Sequence, residues 1–79
     1  MNIRCMIIDD EPLALKKLKR HLLKYPFMEL SAACHSVEMA RKHLESNEID
    51  LIYVDINMPD VNGLDFIRSL ENPPMAVFV

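Results

Sequence analysis

Three carboxylates stand where they can do chemistry together. Asp9 and Asp10 follow the apolar run Ile3-Arg4-Cys5-Met6-Ile7-Ile8, and Asp55 follows Leu51-Ile52-Tyr53-Val54. If both runs are neighbouring parallel strands, all three acids emerge at one edge of one sheet. In open α/β sheets that carboxyl edge is where ligands bind. Three carboxylates there ionise cheaply only around a cation. Oxygen ligands suit Mg2+, which accepts one or two carboxylates, a backbone carbonyl and several waters. A carboxylate is also a nucleophile toward phosphorus, giving an aspartyl phosphate, and phosphoryl transfer asks the protein chiefly for positioning and charge neutralisation. The pattern points to a hard-metal site at Asp9 and Asp10 with Asp55 as the nucleophile. A plainer reading of Asp9-Asp10 is the acidic start of a helix, since Asp-Glu-Pro before a leucine-rich run suits a cap. A lone Asp55 at a strand end would be a turn residue. The combination of the three favours the metal.

The elements that must carry these acids alternate. Residues 3–8 are short and rich in branched apolar side chains, which predicts a buried strand. Pro12 suits the first turn of a helix, and Leu15, Leu18 and Leu22 recur at helical spacing, with Leu23 widening the stripe. This helix is expected to end near Lys24 or Tyr25, before Pro26. Residues 28–35 form a second strand. Ser36 is the expected N-cap of a second helix, with Glu38 in its first turn and Val37, Ala40 and Leu44 on its apolar stripe through Ser46. Asp50 introduces a third strand over 51–54. The loop 57–63 holds the single glycine, Gly63, which is free to take positive φ. Leu64, Phe66, Ile67 and Leu70 suit a third helix that Pro73-Pro74 breaks. Residues 75–79 are a fourth strand. This β-α-β-α-β-α-β order implies an α/β fold with a parallel sheet and right-handed crossovers.

Size and charge narrow the function. A chain of 79 residues is one small domain at most, and its 51% apolar content excludes intrinsic disorder. The net charge of -3 argues against a nucleic-acid-binding module. No apolar stretch approaches a membrane span. The start Met-Asn-Ile-Arg lacks a signal peptide's basic, apolar and small-residue segments, so the cytoplasm is the expected location. Cys5 and Cys34 sit in apolar surroundings and read as reduced core thiols. His21, His35 and His43 have no ligand spacing with the acids and read as helix-surface or strand-end residues. The scattered methionines read as core filling. Lys16, Lys17, Lys19, Arg20 and Lys24 read as a solvated helix face.

Ile7-Ile8-Asp9-Asp10-Glu11-Pro12, then Asp55-Ile56-Asn57-Met58-Pro59, then Gly63-Leu64, resemble the receiver domain of bacterial two-component response regulators. The resemblance runs the length of the chain. Asp-Asp-Glu-Pro and the Asn72-Pro73-Pro74 approach to the fourth strand look most like receivers that precede a LytTR-type DNA-binding domain. The resemblance implies a flavodoxin-like (CheY-like) sheet of order 2-1-3-4 with helices on both faces. It implies that Asp55 accepts phosphate from a sensor histidine kinase and that Mg2+ is held by Asp9, Asp10, Asp55 and the backbone carbonyl of Asn57. Asp10 would ligate directly and Asp9 largely through water, while Met58, Pro59 and Gly63 shape the loop. A DNA-binding output domain would follow, so this segment itself is expected to touch neither nucleic acid nor membrane. The family also uses the first helix to dock phosphodonor domains.

Two departures stand out. Asn62 occupies a loop position where the family often has Asp, a mild change. The family's Thr or Ser after the fourth strand and Lys after the fifth lie beyond Val79, so residues 1–79 are expected to be a C-terminally truncated receiver lacking its fifth strand. Such a segment is expected to phosphorylate slowly or not at all and to self-associate through pairing of the open edge of residues 75–79 or exchange of C-terminal segments. Two alternatives remain: a receiver-like interaction module that works without phosphorylation, which retention of all three acids argues against, and an Mg2+-dependent hydrolase with Asp55 as nucleophile. A hydrolase of the haloacid-dehalogenase type is expected to have Asp where this chain has Asn57. A signalling role, not enzymatic turnover, is the expectation.

Overall fold

A strand buried at every position from Cys5 to Ile8 requires cover on both faces, and the helices supply it. The computed structural model describes residues 2–59 and 61–79; Met1 and Asp60 of the predicted loop lie outside them. The order is β1 (Ile3–Ile8), α1 (Pro12–Leu22), β2 (Met28–Cys34), α2 (Val37–Ser46), β3 (Leu51–Val54), α3 (Gly63–Arg68) and β4 (Met75–Phe78). The four strands form one sheet, β2-β1-β3-β4, parallel at every pairing. Strand alternation then sorts the core into two layers. Cys5 and Ile7 face α1, packing with Leu15, Leu18, Leu22, Leu51 and Tyr53. Met6 and Ile8 face the other way, packing with Ile52 and Val54 of β3, Ala40 of α2 and Phe66 and Ile67 of α3.

Boundaries shift where local hydrogen bonding outweighs side-chain periodicity. α1 ends at Leu22, ahead of Lys24 and Tyr25, because the chain tightens: Lys24 N–H donates to the His21 carbonyl at 3.2 Å and Tyr25 N–H to that of Leu22 at 3.0 Å. Leu23 therefore does not widen the stripe and is 82% exposed. α3 stops at Arg68, where the Ser69 hydroxyl donates to the Phe66 carbonyl at 2.6 Å, and its Leu64 is exposed while Phe66 and Ile67 are buried. Ser36 caps α2 as expected, accepting from Met39 N–H at 3.2 Å. Both cysteines are free and buried. Of the methionines, Met6 is core and Met28 and Met58 pack against it, but Met39 and Met75 are exposed. No helix of the described residues is long and apolar enough to cross a membrane. The outer edge of β4 is open, with Met75 and Val79 more than half exposed.

The amino ends of the strands are tied by Asp50. Its carboxylate accepts from Arg4 N–H at 2.9 Å, its own N–H donates to the Arg4 carbonyl at 2.8 Å, and its carbonyl accepts from Met75 N–H at 3.2 Å. One residue thus joins the starts of β1, β3 and β4. The exposed ion pairs of Arg4 with Glu48 and Asp50, at 3.1 and 3.4 Å, add little by themselves. The Arg4 backbone N–H, and then its guanidinium, hold the Asp50 carboxyl below the usual carboxylate range. A carboxyl lowered in the folded state stabilises above its unfolded pKa and loses that contribution as pH falls through its folded pKa. Asp50→Ala is therefore expected to lower the thermal midpoint at pH 7, with the gap from the parent narrowing as the buffer is taken down through pH 4 toward pH 3. A gap constant with pH in calorimetry would show that the carboxylate charge is not what stabilises.

Candidate functional site

The strand ladder carries the acids to one place. Ile8 of β1 pairs with Val54 of β3 and with Cys34 of β2. The ladder continues one residue beyond each strand, Asp9 N–H donating to the Cys34 carbonyl at 3.1 Å and Asp55 N–H to the Ile8 carbonyl at 3.0 Å. Asp9 and Asp55 thus stand side by side at the carboxyl edge, and Asp10 follows. One carboxylate oxygen from each of the three lies within 4.8 Å of the others. Asp9 is 7% exposed, Asp55 half-buried and Asp10 exposed.

The helix-cap reading of the acidic pair does not describe α1. Glu11 is the N-cap residue and makes no side-chain cap bond; Pro12 begins the helix. Asp9 instead accepts from Glu11 N–H at 3.0 Å, which fixes its carboxylate against the turn into the helix. Burial is the main cause that pushes the Asp9 carboxyl above its ordinary range, and the Asp55 and Asp10 charges add to it against the opposing Glu11 N–H. Repelling carboxylates, one of them desolvated, present hard oxygen ligands at uncompensated electrostatic cost. A divalent cation among them removes that cost, so the donor set fits Mg2+.

The loop after β3 is held closed against Asp55. Asn57 N–H donates to Asp55 Oδ1 at 3.0 Å, and Gly63 N–H to the Ile56 carbonyl at 3.1 Å. Asn57 and Asn62 face each other in an antiparallel bridge. Among the described residues no backbone N–H donates to the Asn57 carbonyl. Met58 and Val61 pack against the core from the loop. Gly63 does not take positive φ; the expectation of a left-handed turn is corrected to one of close approach. A Cβ at this position would collide with the Asp55 carbonyl oxygen and crowd Val54 Cγ2. Asn62 accepts from Leu64 N–H at 2.8 Å and caps α3. Sequence reasoning treated Asn62 only as a family departure, although Asn ahead of an apolar helical run is a strong N-cap signal. His21 and His43 lie on helices away from the acids. His35 lines a cavity of about 340 Å³ beside Asp10, together with Val37, Arg41, Met58 and Val61.

A carboxyl raised in the folded state favours folding at low pH and costs stability as pH rises through its folded pKa. Asp9→Asn keeps an oxygen for Glu11 N–H and removes the desolvated charge. Without divalent metal at pH 7 the variant is expected to melt roughly a few degrees higher than the parent, an advantage that fades toward pH 3. A lower midpoint in calorimetry would mean that the charge of Asp9 is compensated by the fold itself.

Residues 5–79 match the family model of the response regulator receiver domain. The chain is 32% identical over 79 residues to the sensory transduction protein LytT of Bacillus anthracis, covering 96% of this chain and 32% of that protein. The transcriptional regulatory protein LytR of Staphylococcus aureus gives the same identity and the same coverage. The chain thus spans about a third of the length of these curated relatives. Among solved structures, the MaeR response regulator bound to beryllium trifluoride superposes with a TM-score of 0.87 at 24% identity, covering 98% of this chain and 66% of that one. The response regulatory domain of mrkE from Klebsiella pneumoniae gives 0.82 at 28% identity, covering 96% and 65%. With the sheet order 2-1-3-4, the acids gathered at its carboxyl edge and a family match over nearly its whole length, the chain belongs to the receiver domains of two-component response regulators.

Proposed function

We propose that Asp55 is the phosphoacceptor, taking a phosphoryl group from a phosphohistidine of a sensor histidine kinase. The observation that carries this reading is the convergence of the three carboxylates within 4.8 Å, with the least exposed of them desolvated. Asp9, Asp10, Asp55 and the Asn57 carbonyl would hold Mg2+, which when bound neutralises charge on the phosphoryl oxygens. Asp55 is oriented by Asn57 N–H on Oδ1 and by the Gly63 backbone against its carbonyl. In the transfer, an Asp55 oxygen forms the new O–P bond as the N–P bond to the donor imidazole breaks, the electron pair leaving with the imidazole. The chain's own residues contribute position and charge, a signalling chemistry without substrate turnover. By its likeness to LytT and LytR we assign the whole protein a cytoplasmic role with a DNA-binding output domain that reads the state of Asp55. The open edge of β4 supports addition of a further strand there, from the same protein or a second copy.

In the intact protein, incubation with Mg2+ and a small acyl phosphate is expected to add one phosphoryl group, seen by intact mass after cold, mildly acidic handling. Asp55→Asn is expected to lose it, and persistent labelling of that variant would move the nucleophile elsewhere. Titration with Mg2+ alone is expected to shift the amides of residues 9–11 and 55–58 first. Equal shifts near Glu45 and Glu48 would rule out a specific centre.

A further inference from the structure

The loop that carries Asn57 is only as well placed as α3, and α3 is six residues long. Among the described residues one side-chain hydrogen bond joins it to α2: Arg41 Nη2 donates to Ser69 Oγ at 2.8 Å. The same hydroxyl donates to the Phe66 carbonyl at 2.6 Å, so Arg41 is bonded through Ser69 to the last turn of α3. The guanidinium also lies over the Phe66 ring, 5.1 Å from its centroid, a cation–π contact that shields one of the most buried side chains of the protein. A cation at the carboxyl end of a helix is favourably placed for its dipole. From Phe66 the connection back to the site is short: Phe66 N–H donates to the Asn62 carbonyl at 3.0 Å, and the next residue, Gly63, rests on the Asp55 carbonyl. Arg41 further lines both the cavity beside Asp10 and a groove of about 640 Å³ that opens between α2, Asp50 and Ser69 at the other end of the domain.

We infer that Arg41 is a positioning residue for the phosphoacceptor site, clamping α3 against α2 so that the segment after β3 keeps the Asn57 N–H on Asp55 and the Asn57 carbonyl available to the metal. The inference rests on the proposed site and extends it to a residue on another helix. Truncation releases the last turn of α3 and uncovers Phe66.

The test uses Mn2+ alone as probe on the intact protein, at a temperature where circular dichroism shows every variant folded. Arg41→Ala is expected to weaken Mn2+ binding about threefold to tenfold and to slow labelling by acyl phosphate at saturating donor. Arg41→Lys, which keeps a cation over the ring, is expected to recover much of the affinity, and Arg41→Met, which keeps the stem alone, is not. Ser69→Ala added to Arg41→Ala should cost less Mn2+ affinity than Ser69→Ala alone, since the Arg41–Ser69 contact is already lost. Leu18→Ala, in the core layer under α1, serves as a control that loses stability without touching this clamp. Unchanged Mn2+ affinity in Arg41→Ala, full affinity in Arg41→Met, or an equal loss in Leu18→Ala overturns the inference while leaving the site intact. Failure of the parent itself to bind Mn2+ overturns the site and the clamp together.

Discussion

Burial of β1 on both faces is the constraint from which the rest follows. Cys5, Met6, Ile7 and Ile8 have no exposed surface, so the strand must be central, with β2 and β3 on its sides and helices above and below. Parallel connections then bring the chain back across the sheet each time, and the same edge collects the residue that follows each strand. Asp9 is desolvated because it continues the ladder of a buried strand. Its altered ionisation is a consequence of sheet position, not of a pocket built around it.

That origin explains how a small domain tolerates three acids together. The site concentrates repulsion where the backbone is most firmly fixed, by the bonds from Asp9 to Cys34 and from Asp55 to Ile8. Positions that can move are bound from outside the cluster: Glu11 N–H restrains Asp9, Asn57 N–H restrains Asp55, and the glycine contact keeps α3 close enough to shape the loop. A rigid frame of this kind prevents the carboxylates from relaxing apart, which costs stability where no cation stands among them.

What the sequence made legible was what a buried parallel sheet imposes on composition. Apolar runs of four to six residues marked β1, β3 and β4, while the more polar β2 was marked more weakly, and acids directly after two of the runs marked the site, because strand ends and carboxyl edge coincide in this architecture. The Ser36 cap was legible because it is local. Helix ends were less so: the turn after Leu22 is closed by backbone bonds that leave no mark on the hydrophobic period, and Leu23 looked like core only while α1 was assumed to continue. Gly63 was singled out for the wrong reason, since its need is set by the Asp55 carbonyl and Val54, residues distant in sequence. The contact of Arg41 with Phe66 and Ser69 was illegible for the same cause. It joins two helices whose relative placement exists only once both have packed on the sheet.

Charge is distributed as unevenly as burial. Between Glu11 and Glu29 there are five basic residues and no acidic one, while Asp9, Asp10 and Asp55 lie just past the start of that same helix. Under the proposed phosphoacceptor role, a phosphorylated donor carrying negative charge would be repelled by the bare carboxylates and attracted by the basic side chains of α1. The Debye length at physiological salt is about 8 Å, so the exposed lysines and the acids both act chiefly at short range. In the proposed site, a divalent cation would offset two of the three carboxylate charges, weakening the nearer field and leaving the farther one unchanged. Under the proposed phosphoacceptor role, metal occupancy would therefore set how strongly the last few ångströms of approach oppose the donor, and the rate of phosphoryl transfer would depend on Mg2+ more steeply than neutralisation of the phosphoryl group alone requires.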